Sequence, residues 1–114
     1  MKDIFEKVYV LDTNIVLNDA NNIFNISQGG NNLIVLPETV IDELDSKKTG
    51  FEEINFQARE FGRLLSEAVV INTTKIQVTD SVNSTIMRVQ IKDNTVIDII
   101  SLDNYDLEGV DKGI

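Results

Sequence analysis

Apolar residues fall into two kinds of run along this chain. Lys7 to Leu11 and Leu33 to Leu36 are short and mostly apolar, without clean alternation, which predicts two strands buried on both faces. Between them, Ile15, Val16, Leu17, Ile23, Phe24 and Ile26 sit among asparagines, which predicts one or two short helical turns over 14–26. Pro37 stops the second strand and suits the first turn of a helix, whose apolar stripe is Val40, Ile41 and Leu44. Phe51, Ile54, Ala58, Phe61, Leu65 and Ala68 recur at spacings of three and four, and predict one face of a longer helix.

Beyond that helix the period changes. Val69 to Ile71, Ile76 to Val78, Ile86 to Ile91 and Val96 to Ile100 are β-rich runs separated by Asn, Asp, Ser and Thr. Met87, Val89 and Ile91 alternate with Arg88, Gln90 and Lys92, the pattern of a half-buried strand, and Asp93-Asn94 then predicts a hairpin into Thr95 to Ile100. The first half, with strands separated by helices, favours a parallel sheet with right-handed crossovers. The second half favours antiparallel pairing. An α/β domain carrying a hairpin or a mixed sheet edge satisfies both.

Composition narrows the chemistry. The chain has 114 residues, the size of one domain, and contains neither cysteine nor histidine. Disulfides, thiolate or imidazole metal sites and every serine–histidine or cysteine–histidine triad are excluded, so any chemistry runs on carboxylates. No stretch approaches the roughly eighteen apolar residues of a membrane span. The opening Met-Lys-Asp-Ile-Phe-Glu is too acidic for a signal peptide, which points to the cytoplasm and away from membranes. Ten Lys and Arg against nineteen Asp and Glu give a net charge of −9, which repels a polyanion unless metal ions or a local basic patch intervene. Lys47-Lys48 and the Arg59/Arg63 pair are small clusters that read first as solvated surface and second as phosphate contacts.

Two carboxylates occupy places where chemistry is expected. In open parallel sheets the site lies outside the carboxyl ends of the strands, and Asp12 stands at that end of the first strand. Glu43 lies in the helix that follows the second. If the strands are adjacent and parallel, both enter one crevice, where a cation between them relieves their repulsion. Oxygen ligands alone suit Mg²⁺ or Mn²⁺, and such an ion can activate a phosphodiester without histidine. The plainer reading makes Asp12 a helix N-cap and Glu43 part of a solvated face, with Thr39 and Asp42 a capping box that starts the helix.

The stretches "VYVLDTNIVLND", "LIVLPETVIDELDSKK" and "QAREFGRLL" closely resemble the PIN domain, in particular the N-terminal PIN domain of PhoH-like ATPases and related phage proteins. The resemblance covers Val8 to about Ala68. It implies a three-layer α/β domain with a central, mainly parallel sheet. It also implies a Mg²⁺- or Mn²⁺-dependent nuclease acting on single-stranded RNA, with Asp12 as first metal ligand, Glu43 as the second carboxylate, and Thr13 and Asn14 as supporting polar residues. Members of the family often pair as homodimers, and in PhoH-like parents an ATPase domain follows.

The second half departs from that pattern. Asp93 stands in Asp-Asn-Thr-Val-Ile, superficially like the family's third motif and so a candidate ligand, yet the β-branched run behind it makes a poor helix and favours a turn. The expected late strand ending in Thr-Lys-Asp is missing. Residues 1–114 therefore read as a single PIN-like domain that is incomplete at its C-terminus. The alternative to a nuclease is a catalytically inactive PIN-like module, binding RNA or protein and lacking the last metal ligands.

Overall fold

The computed structural model describes residues 4–104, with the side chains of 103 and 104 left aside. The acidic tail beyond Asn104 lies outside the described residues. The elements in chain order are β1 (Lys7–Val10), α1 (Thr13–Asn18), α2 (Asn22–Ser27), β2 (Asn32–Pro37), α3 (Glu38–Ser46), α4 (Glu53–Ser66), β3 (Val69–Gln77), β4 (Val82–Ile91) and β5 (Thr95–Asn104). The strands form a five-stranded sheet in the order β1-β2-β5-β4-β3. β1, β2 and β5 run parallel, while β4 and β3 continue the sheet antiparallel. This is the α/β architecture with a mixed edge that the two halves of the sequence favour.

The register separates the two faces. Tyr9, Ile34 and Ile97 stand in one row, with Val89 beyond them, and Leu36, Ile99 and Met87 share that face. Ile34, Leu36, Ile97, Val89 and Ile91 join Val16, Ile23, Leu44, Phe61 and Leu64 of the helices in the core. Among the described residues, the strand members of this core all come from that face. Helices α2 and α3 lie against β2 and β5, and α4 packs on α1 and α3.

The other face and the outer edge differ from the expectation for strand one. Every residue of β1 is exposed, Val8 and Val10 by 60% and 67%. Sequence pattern predicted burial on both faces, whereas among the described residues β1 has a neighbour on one side only, and Val8 and Val10 point away from the helices. Since the Leu11 N–H donates to Val35 O at 2.8 Å, strand alternation turns the backbone groups of Val8 and Val10 towards the free edge.

The apolar stripe of α4 is also shifted from its predicted position. Phe51 precedes the helix and is fully exposed, and Ile54 is partly so, while Leu64 is buried. Two buried polar side chains hold the helix start instead. Asn55 accepts from the Glu52 N–H at 3.0 Å and donates to Lys47 O at 2.8 Å. Gln57 accepts from the Ala20 N–H at 2.8 Å and donates to Glu53 at 2.7 Å. The Thr39/Asp42 capping box is not formed, because α3 begins earlier, with Pro37 at its N-cap and no side-chain capping bond.

The β4–β5 hairpin turns as predicted, with Asp93 and Asn94 both left-handed at φ 58° and 59°. Gly30 packs against this turn at φ 94°, where an added Cβ would come within 2.6 Å of Asn94 O. Gly30→Ala is expected to cost about 1–3 kcal/mol, as backbone strain of this kind does. An unchanged denaturation midpoint would show that the turn gives way freely.

Candidate functional site

Because β1 and β2 are parallel neighbours, their carboxyl ends open on the same edge of the sheet. Asp12 follows β1 directly and takes extended backbone angles at the N-cap of α1 (φ −97°, ψ 143°). Its side chain makes no capping hydrogen bond, so the capping role that explains a carboxylate at this position is not the one it performs. Thr13, the first residue of α1, is buried at 6% exposure. Glu43 projects from the middle of α3, which starts where β2 ends.

A hydrogen bond ties these segments together. The Thr13 hydroxyl donates to Glu43 Oε1 across 30 positions of sequence. One carboxylate oxygen of Glu43 is thereby fixed beside the residue that follows Asp12, and both Asp12 and Glu43 remain open to solvent. Asn14, exposed in the first turn of α1, is adjacent in sequence, and no bond joins it to this pair.

Asp93 is not brought to the site. β5 runs parallel to β1, so the turn before β5 sits at the opposite, amino edge of the sheet. Asp93 serves as a turn residue there, and the physical reason is the direction of β5. Among the described residues no three acidic groups gather as a metal cluster.

The Thr13 hydroxyl and the Glu43 carboxylate meet, Asp12 is the residue before Thr13, and all the donors these three offer are oxygen. This set fits Mg²⁺ or Mn²⁺, since Mg²⁺ is commonly held by one or two carboxylates, retains several waters and completes its shell with substrate phosphates.

Three side chains of the basic clusters are engaged elsewhere. Lys48 pairs with Asp45 at 2.7 Å, and Arg59 donates to the carbonyls of Lys48 and Gly50 at 2.6 and 2.9 Å. Arg63 bridges Glu60 at 2.9 Å and Glu67 at 3.3 Å. Its hydrogen bond holds the Glu60 carboxyl below the usual range, and Glu60 in turn raises the Arg63 guanidinium. These residues pin the α3–α4 loop and the exposed face of α4.

Sequence reading missed one polar feature of the sheet. Arg88 on β4 forms a two-pronged ion pair with Asp98 on β5, Nε to Oδ1 at 2.7 Å and Nη2 to Oδ2 at 3.0 Å. The sequence signal fell one residue short, because a two-residue turn at Asp93-Asn94 sets Arg88 opposite Ile99, whereas the observed three-residue turn, with Ile91 paired to Thr95, sets it opposite Asp98.

A family model described as "PIN domain" matches residues 9–106. Protein PhoH2 of Bacillus subtilis (strain 168) is 42% identical over 59 residues, which are 52% of this chain and 13% of that protein. The chain therefore spans a small part of this relative's length. No solved structure matches.

Proposed function

Since the chain belongs to the PIN domain family, whose members are generally nucleases, we propose that it is a Mg²⁺- or Mn²⁺-dependent endoribonuclease that hydrolyses phosphodiester bonds of single-stranded RNA. The observation that supports this best is the hydrogen bond from Thr13 to Glu43, which joins the end of β1 to α3 beside Asp12. Asp12 and the remaining oxygen of Glu43 would hold the cation. Thr13 fixes the Glu43 carboxylate, and as a buried residue it takes its own position from the core. When bound, the cation supplies charge stabilisation at the phosphoryl oxygens and lowers the pKa of a neighbouring water.

The test is Mn²⁺-dependent cleavage of a single-stranded RNA by the wild-type chain, lost on chelation. Cleavage that persists without metal would overturn the reading. Thr13→Val keeps the shape and removes the hydroxyl, and is expected to reduce activity by roughly 10–100-fold, the usual cost of losing an outer-shell partner. An unaltered rate would remove Thr13 from the mechanism.

The edge of β1 left free among the described residues, with Val8 and Val10 exposed, supports our reading of an incomplete domain in which a further strand would pair with β1. In a longer parent protein a PhoH-like ATPase domain would follow. On the same reading the protein would work in the cytoplasm with RNA as its partner, and the family's habit of pairing makes a homodimer the assembly to test. No helix among the described residues is long and apolar enough to cross a membrane.

A second reading, an inactive module that binds RNA or protein, is favoured by the finding that no three acidic groups gather among the described residues. It expects RNA affinity that survives Asp12→Asn and falls steeply with salt.

A further inference from the structure

Next to the Asp12–Thr13–Glu43 site lies a cavity of about 300 Å³. Pro37, Glu38, Thr39 and Asp42 line it from the start of α3, and Ile100, Ser101 and Leu102 from the far end of β5. It opens on the same carboxyl edge of the sheet as Asp12, because β1, β2 and β5 are parallel. Thr39 and Glu43 are four residues apart on α3, which puts their Cβ atoms roughly 6 Å from one another. The cavity is therefore within reach of a chain bound at Glu43.

Its lining has a definite chemistry. Pro37, Ile100 and Leu102 supply an apolar surface, and Leu102 is 68% exposed. Thr39 and Ser101 offer hydroxyls, and Glu38 and Asp42, one helical turn apart, offer carboxylates. None of the lining residues among the described ones is basic. In a chain of net charge −9, a phosphate finds no partner here. A planar base does, because it brings an apolar face and an edge of N–H donors.

Single-stranded RNA is read through unstacked bases that lie on apolar surfaces and hydrogen-bond along their edges. An ionised carboxylate only accepts, so it selects a base with two adjacent donors. Guanine has that pair in its ring N–H and its amino group. Uracil sets its one ring N–H between two carbonyl oxygens, which a carboxylate repels.

We infer that this cavity is a nucleobase subsite that takes an unstacked guanine, with Asp42 or Glu38 accepting from its edge and Pro37, Ile100 and Leu102 against its face. The ligand class rests on the ribonuclease reading above. The subsite would make cleavage guanine-dependent.

The experiment titrates the whole chain with guanosine and, separately, uridine, without metal, and follows backbone and methyl signals by NMR. Shifts centred on Thr39, Asp42, Ile100, Ser101 and Leu102 with guanosine, and at least tenfold weaker binding of uridine, are expected. Asp42→Asn and Glu38→Gln together should remove that preference while leaving the fold intact, since both residues are exposed. No guanosine-dependent shift at millimolar concentration, or equal shifts with uridine, would overturn the subsite. So would Mn²⁺ broadening centred on Glu38 and Asp42, which would make this a cation site. Because the readout needs neither metal nor cleavage, guanosine binding without cleavage supports the subsite while removing the ribonuclease reading. Cleavage without guanosine binding does the reverse.

Discussion

Asp12→Asn is expected to lower Mn²⁺-dependent cleavage of single-stranded RNA by at least about 100-fold, beyond what loss of an outer-shell partner costs, with the fold unchanged. Asparagine keeps the size and the N-cap geometry of aspartate and removes the charge that offsets a cation. Asp12 makes no capping bond through its side chain and is exposed, so stability has little to lose. Glu43→Gln should behave similarly, because Thr13 can still donate to the amide oxygen and only the charge goes. Full activity in Asp12→Asn would refute the assignment, and a lowered melting temperature alongside lost activity would point to a structural role.

The second large effect belongs to stability. Arg88→Met should destabilise the domain by about 3–5 kcal/mol, because it leaves the Asp98 carboxylate inside the sheet without its two-pronged partner. The two side chains are only 19% and 11% exposed, and the Phe5 ring lies 5.4 Å from the guanidinium carbon, so water cannot easily replace the lost contact. A domain of this size holds roughly 5–15 kcal/mol in all, so the variant should melt earlier by well over 10 °C. Arg88→Met combined with Asp98→Leu should recover most of the loss, since an apolar pair carries no unpaired charge. A single variant that costs under about 1 kcal/mol would show that water already screens the pair.

Much of the architecture was legible because local signals agreed with tertiary ones. The strand–helix–strand order of the first half set the parallel pairing of β1 and β2, and the turn at Asp93-Asn94 set the β4–β5 hairpin. Where the reading missed, a long-range fact decided. β1 carries the composition of a central strand yet lies at an edge, and composition does not say how many neighbours a strand has. Phe51 fits the period of α4, but the helix starts after it, at Glu53, and Asn55 and Gln57 take buried positions because partners at Lys47 and Ala20 satisfy them.

The placement of the candidate site was legible in part. Asp12 and Glu43 could be named from their places after the two strands, and parallel pairing brings both to one edge. That Thr13 is the link between them could not be read, since it depends on how α1 and α3 meet. For Asp93 the β-branched run behind it already favoured a turn, and the direction of β5 then sets that turn at the opposite edge of the sheet.

The most direct test of the account is a Mn²⁺ titration of the wild-type chain followed by NMR, in which the ion broadens signals near its binding site. Broadening that begins at Asp12, Thr13 and Glu43 and vanishes in Asp12→Asn is the expected result. Broadening that begins elsewhere, or none at millimolar Mn²⁺, would contradict it.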